Sequence, residues 1–280
     1  MKVIVTNSYD ETCAVIANMI KELVNAKPDA KLGLATGGTP GPIYKKLIEM
    51  NKAGEVDFSR VHTVNLDEYC GIPGTHDQSY RYFMDTNLFD HINIDKKNTF
   101  VASGMGDFEA NARELEEKVR EGGAADLQLL GIGNNGHIAF NEASDHLIAV
   151  AHTEKLTEST INANARFFEK KEDVPTMAIT MGMGDILAAK KVVLAATGLA
   201  KVPAIRGLIM DDVITTQNPS TMLKMHEDAV FFTAEKPPCR RCVRRAKTRG
   251  LLLSPQISCS ASFEACRKGA LKIDFYLYSG

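Results

Sequence analysis

Two kinds of apolar pattern alternate along most of the chain. Short continuous apolar runs predict buried strands, and longer stretches with apolar residues three or four positions apart predict amphipathic helices. The predicted strands cover residues 3–5, 32–35, 61–66, 100–101, 127–132, 177–180, 192–196 and 229–232. The predicted helices cover residues 13–24, a segment with Thr39 as N-cap and Pro40 as its first residue, a segment from about 78, and residues 108–120 and 199–210. Residues 182–189 separate the strands at 177–180 and 192–196.

This alternation indicates a fold class. Strands that read as continuous apolar runs are typical of a mostly parallel sheet covered on both faces. Strands that alternate with helices therefore predict a doubly wound, Rossmann-like α/β domain. Sheets of this kind bind ligands beyond the carboxyl ends of their strands, and the turns with candidate chemistry follow predicted strands.

The overall composition excludes several classes of protein. The chain has 280 residues, 44% of them hydrophobic, and a formal net charge of −2, so nothing global favours nucleic acid or an acidic membrane as a partner. The N-terminus turns polar at Asn7, too soon for a signal peptide, and no run approaches the ~18 apolar residues of a membrane span. We expect a cytoplasmic protein that binds a small molecule, as a monomer or a homo-oligomer.

The C-terminal segment differs from the rest of the chain. Residues 237–280 hold nine Lys and Arg against two Asp and Glu, whereas the preceding residues are net acidic. Four of the six cysteines lie here, but Cys239 and Cys242 form only one C-x-x-C pair, which does not favour a zinc site. We predict one catalytic domain at residues 1–236 and, at 237–280, an added basic tail of unassigned role.

A glycine turn after the second predicted strand favours phosphate binding. Its backbone N–H groups and hydroxyls precede a predicted helix, whose N-terminus attracts anions. The turn consists of Thr36, Gly37, Gly38 and Thr39. Arg166 and Lys201 are candidate cations for the same phosphate, since Arg binds it as a fork and Lys as a point charge. The alternatives are an ordinary tight turn and two solvated surface charges.

Acidic and histidine side chains follow two other predicted strands. Asp67 and Glu68 come after residues 61–66, where one of them can act as a base or both can merely solvate a loop. The loop at 131–142 carries His137 five residues before Glu142, which suggests a proton shuttle whose tautomer the carboxylate fixes. A buried structural histidine is the alternative. No second ligand stands at metal-binding spacing from His137, so the pattern predicts no metal site.

Together these motifs resemble the glucosamine-6-phosphate deaminase family, also called glucosamine-6-phosphate isomerase. The order and spacing of the motifs make the resemblance specific, and it extends over about residues 1–236. The matching segments are 35–40 (ATGGTP), 65–69 (NLDEY), 131–142 (GIGNNGHIAFNE), 164–168 (NARFF), 178–182 (AITMG), 197–201 (TGLAK) and 220–226 (STMLKMH).

The resemblance implies conversion of glucosamine 6-phosphate and water to fructose 6-phosphate and ammonia, without a cofactor. It implies that His137 opens the sugar ring, oriented by Glu142 and Asn135, and that Asp67 moves a proton between C2 and C1. It also implies that the glycine turn, Arg166 and Lys201 hold the phosphate. Some family members carry Asp at the position of Asn135. Because an amide has no negative charge, Asn135 can orient a partner by hydrogen bonding but cannot raise the basicity of His137.

Two other functions remain alternatives. The 6-phosphogluconolactonases share a related fold and a similar glycine-histidine loop, but residues 138–142 (IAFNE) resemble the deaminases and supply the additional carboxylate Glu142. A module that senses sugar phosphates without catalysis would bind glucosamine 6-phosphate and release no ammonia.

Overall fold

The computed structural model describes residues 1–234, so the predicted tail at 237–280 lies outside the described residues. The described part contains ten strands. They are β1 (Lys2–Val5), β2 (Lys31–Leu34), β3 (His62–Asn65), β4 (Asp67–Tyr69), β5 (Thr99–Phe100), β6 (Leu127–Leu130), β7 (His152–Lys155), β8 (Met177–Thr180), β9 (Val192–Ala196) and β10 (Ala229–Thr233).

Seven α-helices connect these strands in residues 1–234. They are α1 (Tyr9–Ala26), α2 (Gly41–Lys52), α3 (Tyr80–Asn87), α4 (Phe108–Arg120), α5 (Glu158–Asn164), α6 (Met183–Leu187) and α7 (Val202–Met210). Short 3-10 helices include Ala165–Phe167, Leu199–Lys201 and Pro219–Met225. None of the helices described is long and apolar enough to cross a lipid bilayer.

Seven strands form one parallel sheet, which confirms the predicted fold class. Their order is β1-β10-β9-β6-β2-β3-β5. The chain runs from β2 through β3 to β5 at one edge, then returns to β6 on the other side of β2. Ligands of doubly wound sheets bind beyond the carboxyl ends of the strands where the order reverses in this way, here between β2 and β6.

Strand β9 shows why the strands read as continuous apolar runs. All five of its residues are buried. Val192 and Leu194 belong to a core that includes residues of α4, α6 and α7. Val193 and Ala195 belong to a second core with residues of α1, α2 and α3. Because each face of the sheet packs on helices, both alternating sets of side chains are apolar.

A second, three-stranded antiparallel sheet was not predicted. Its order is β4-β8-β7, and Asp67 of β4 pairs with Thr180 of β8. Strand β7 reads His-Thr-Glu-Lys, which carries no apolar signal, and β4 has only three residues. This sheet attaches the segment with the paired carboxylates to the rest of the domain.

The predicted start of α2 is wrong by one residue. Pro40, not Thr39, occupies the N-cap position, because its carbonyl accepts the first helical hydrogen bond, from the Tyr44 N–H at 3.0 Å. The carbonyl of Thr39 instead accepts a hydrogen bond from the Tyr9 hydroxyl. The predicted bounds of α4, β8 and β9 are confirmed at both ends.

Candidate active site

Most of the candidate side chains come just after four neighbouring strands, and Arg166 lies in the 3-10 helix Ala165–Phe167. The glycine turn 36–39 follows β2, Asp67 comes two residues after β3, the loop 131–142 follows β6, and Lys201 follows β9. These strands are adjacent and parallel, in the order β9-β6-β2-β3, so their carboxyl ends meet at one edge of the sheet. The topology thereby brings motifs that are far apart in sequence to the expected ligand-binding edge.

The first turn of the loop 131–142 places the His137 imidazole against the backbone of Gly133. A Cβ atom at Gly133 would lie 2.3 Å from both Cε1 and Nε2 of the ring, so only glycine leaves room for it. Gly136 has a φ of 87°, and its carbonyl accepts a hydrogen bond from the Ser220 N–H at 2.8 Å. The turn is therefore held by the 3-10 helix Pro219–Met225.

The second turn of the loop returns the chain toward His137. Ala139 has a φ of 53°, in the left-handed region that non-glycine residues seldom occupy. The N–H of Phe140 donates to the Thr180 hydroxyl at 3.1 Å, and the Asn141 amide donates to two backbone carbonyls at 3.0 and 2.9 Å. These hydrogen bonds fix the loop to the end of β8.

Asn135, His137 and Glu142 form one hydrogen-bonded group. Glu142 Oε2 accepts from the Asn135 amide at 2.8 Å and lies 3.2 Å from His137 Nδ1. Burial raises the pKa of Glu142, but the hydrogen bond and charge of His137, with donors from Thr160 and Asn135, outweigh it and bring the pKa to about 2. An ionised carboxylate only accepts, so in the neutral imidazole of His137 the hydrogen lies on Nδ1 and Nε2 is free to accept a proton.

Two threonines complete the surroundings of Glu142, and neither was predicted from the sequence. Thr157 Oγ1 lies 3.2 Å from Glu142 Oε1, and the Thr160 hydroxyl donates to the same oxygen. Thr157 is the N-cap of α5, so a threonine before an unpredicted helix was the available signal. Their contact with Glu142, from fifteen or more residues along the chain, had no signal in the sequence.

The adjacent carboxylates Asp67 and Glu68 have different surroundings. Glu68 accepts backbone hydrogen bonds from Tyr69, Tyr80 and Arg81 at 2.8–2.9 Å and so binds the first turn of α3. Burial raises the pKa of Glu68 to about 7 against these donors. Burial, and then the charge of Glu68, raise the pKa of Asp67 to about 8. The structure thus occupies Glu68 with a helix terminus and leaves Asp67 as the candidate base.

Two tyrosine hydroxyls hold the glycine turn, and the outer side of the turn at Gly37 is accessible. Gly37 has a φ of 97°, and a Cβ atom built there meets no heavy atom within 4 Å. The hydroxyls of Tyr9 and Tyr44 donate to the carbonyls of Thr39 and Ala35, the second at 2.5 Å. The two tyrosines therefore fix the turn while its outer side stays accessible to an anion.

Arg166 and Lys201 lie close enough for their charges to interact. Burial, and then the positive charge of Arg166, lower the pKa of Lys201 to about 8. The Arg166 guanidinium lies 4.7 Å from the Phe167 ring centroid. Neither cation forms an ion pair with a carboxylate in residues 1–234. Two neighbouring cations without an acidic partner are suited to an anionic ligand.

Other possible ligand sites lie away from this edge of the sheet. A cavity of about 430 Å³ between the sheet and helices α4 and α6 is lined by Gln128, Arg120 and Asp185, among mainly apolar neighbours, and by none of the candidate residues. Within the described part of the chain, no three His, Cys, Asp or Glu side chains are grouped so as to hold a metal ion.

Comparison with known proteins identifies the family. Residues 6–232 match the family described as glucosamine-6-phosphate isomerases/6-phosphogluconolactonase. The chain belongs to this family. It is 52% identical over 237 residues to the glucosamine-6-phosphate deaminase of Clostridium beijerinckii, covering 84% of this chain and 98% of that protein. It is 50% identical to the glucosamine-6-phosphate deaminase of a Thermoanaerobacter species, covering 83% and 92%.

Solved structures from both branches of the family resemble this chain. A monomeric glucosamine-6-phosphate deaminase superposes with a TM-score of 0.81 at 36% identity, covering 88% of this chain and all of the other. A 6-phosphogluconolactonase from Thermotoga maritima gives 0.66 at 21% identity, covering 83% and 99%. The second similarity is one of fold alone.

Proposed function

We propose that this protein converts glucosamine 6-phosphate and water into fructose 6-phosphate and ammonia. It is an enzyme that acts on a sugar phosphate, and its relatives at about 50% identity bear the name of this activity. The observation that carries the proposal is the group of His137, Glu142 and Asn135 at the same sheet edge as the buried Asp67. The reaction needs one group to open the ring and a separate base for a carbon-bound proton.

The phosphate would bind between the glycine turn and the two cations. Thr36, Gly37, Gly38 and Thr39 offer backbone N–H groups and hydroxyls, and Arg166 and Lys201 supply positive charge. An anion between these cations favours the charged form of Lys201, whose pKa is otherwise lowered to about 8 by burial and by Arg166. Binding at the phosphate fixes C1 and C2 of the sugar at a constant distance from the turn.

His137 would open the ring. Its Nε2 accepts the proton of the C1 hydroxyl, the bond from C1 to the ring oxygen breaks, and a proton returns to that oxygen. Glu142 stabilises the imidazolium formed in between, because its ionised carboxylate lies 3.2 Å from Nδ1. Asn135 binds the same carboxylate oxygen and orients it.

Asp67 would carry out the isomerisation. Its carboxylate removes the proton from C2 of the open-chain amino aldehyde and returns a proton to C1, while the ammonium nitrogen gives a proton to the C1 oxygen, so that a hydroxyl forms at C1 and a protonated imine at C2. Water adds to C2, the C–N bond breaks, and ammonia leaves with fructose 6-phosphate. The positive charge of the substrate amine favours ionised Asp67, whose pKa burial and Glu68 raise to about 8.

The competing lactonase function has less support. The lactonase structures are 17–21% identical to this chain, whereas the deaminases are 36–52% identical. Ester hydrolysis also needs no base that reaches two neighbouring carbons, so it leaves the buried Asp67 without a role.

The test is direct product analysis. The full-length protein is incubated with glucosamine 6-phosphate, and ammonia and fructose 6-phosphate are measured together. We expect equal amounts of both products, and a loss of about 100-fold to 10,000-fold in kcat for Asp67→Asn. Binding of the substrate without ammonia release would favour a sensing module, and hydrolysis of 6-phosphogluconolactone instead would favour the alternative enzyme.

A further inference from the structure

The Glu142 carboxylate receives hydrogen bonds from two different parts of the chain. Its Oε2 faces Asn135 and His137, which belong to the same loop as Glu142. Its Oε1 faces Thr157 and Thr160, which belong to the start of α5. Each oxygen therefore has its own pair of donors, and the carboxylate cannot rotate without breaking bonds on both sides.

The Thr160 hydroxyl has its hydrogen directed at Glu142. Thr157 Oγ1 lies 3.2 Å from Thr160 Oγ1 and also accepts from the Thr160 N–H at 3.3 Å. Because Glu142 is ionised and accepts only, the Thr160 hydroxyl donates to Oε1. Thr160 is 4% exposed, so no bulk water replaces this donor.

We propose that Thr160 is a positioning residue for ring opening, whose hydroxyl holds Glu142 in the orientation that directs Oε2 at His137 Nδ1. This inference rests on the proposed function. Without the hydroxyl, a buried carboxylate oxygen keeps only the 3.2 Å contact with Thr157, and the carboxylate turns to compensate. This rotation of the Glu142 carboxylate weakens its 3.2 Å contact with His137 and changes the basicity of Nε2.

The test compares Thr160→Val, which keeps the shape and removes the hydroxyl, with Thr160→Ser, which restores the hydroxyl. The matched control is Thr86→Val, because Thr86 is exposed and its hydroxyl donates to the Tyr82 carbonyl within its own helix. Initial rates of ammonia release are measured from about pH 5 to pH 9, and kcat and KM are separated at each pH.

For Thr160→Val we expect kcat to fall about 10-fold to 100-fold with KM unchanged within about threefold. The acidic limb of its pH profile moves to lower pH, because a carboxylate that has turned away stabilises a proton on His137 less strongly. Thr160→Ser restores kcat to within about threefold, and Thr86→Val matches the parent. The Nδ1 proton of His137 in the NMR spectrum shifts in Thr160→Val alone, which gives a readout that does not depend on turnover.

An unchanged kcat, pH profile and Nδ1 proton signal in folded Thr160→Val would overturn the proposal. So would a Thr160→Ser variant as impaired as Thr160→Val, because packing and not the hydroxyl would then explain the loss. If Thr160→Val does not fold, Thr160→Ser still tests the proposal, because a low kcat or a shifted His137 Nδ1 proton signal in this variant would contradict it. Absence of ammonia release by the parent protein would instead contradict the proposed function, so the two failures are distinguishable.

Discussion

Alanine at Gly133 is expected to remove most turnover without unfolding the protein. The added Cβ would lie 2.3 Å from Cε1 and Nε2 of His137 and 2.4 Å from Cδ2, where ordinary contacts begin at 3.4 Å. The imidazole must therefore retreat by about 1 Å. Such a shift disrupts the 3.2 Å contact between Nδ1 and Glu142. A misplacement of about 1 Å in a reacting group costs about 100-fold, which is the fall in kcat that we predict.

The assay is steady-state ammonia release from glucosamine 6-phosphate, with thermal unfolding followed in parallel. The matched control is Gly41→Ala, because a Cβ at Gly41 meets no heavy atom within 4 Å and lies at the start of α2. We expect the control to keep kcat within about threefold. A Gly133→Ala enzyme with the kcat of the parent, or an equal loss in Gly41→Ala, would refute the steric reasoning.

Three further predictions concern charge. Lys201→Met should raise KM for glucosamine 6-phosphate by about 10-fold to 100-fold, because Lys201 is half-buried and its charge interacts with Arg166. Lys170→Met, at an exposed lysine, is the control and should leave KM unchanged. Glu68→Gln removes the charge that helps raise the pKa of Asp67, so the rise of kcat with pH should move to lower pH. A rise of kcat at the same pH as in the parent protein, or at a higher pH, would contradict this prediction. The pKa of Glu142 is lowered from 4.5 to about 2, which corresponds to about 3 kcal/mol of the free energy of unfolding. This stabilisation is fully present above pH 4.5 and is lost as the pH falls toward 2, which urea unfolding measures. The free energy of unfolding should fall more between pH 4.5 and pH 2 in the parent protein than in Glu142→Gln. An equal fall in both proteins would contradict this prediction.

The parallel sheet could be predicted because burial on both faces leaves a direct record in the sequence. The run Val192–Ala196 is apolar throughout, since its alternate residues face two different cores. The antiparallel sheet could not be predicted, because β7 reads His-Thr-Glu-Lys, which has no apolar pattern, and β4 has only three residues. The cap of α2 was misassigned because Thr39 uses its carbonyl to bind Tyr9, a contact thirty residues away in sequence.

The candidate site shows the same limit. His137, Glu142 and Asn135 stand within eight residues of one another, so their proximity could be expected from the loop itself. The different surroundings of Asp67 and Glu68 could not, because adjacent strand residues look equivalent until α3 is seen to contact one of them. Contacts between distant segments, such as Glu142 with α5, depend on tertiary structure alone.

The measurement that tests the account most directly follows glucosamine 6-phosphate that carries deuterium at C2. Ammonia, fructose 6-phosphate and the position of the deuterium are determined for the parent protein and for Asp67→Asn. We predict ammonia and fructose 6-phosphate in equal amounts from the parent, with part of the deuterium at C1, because Asp67 is 7% exposed and exchanges slowly with water. In Asp67→Asn the rate of both products falls about 100-fold or more. No ammonia from the parent, or an undiminished rate in Asp67→Asn, would contradict the account.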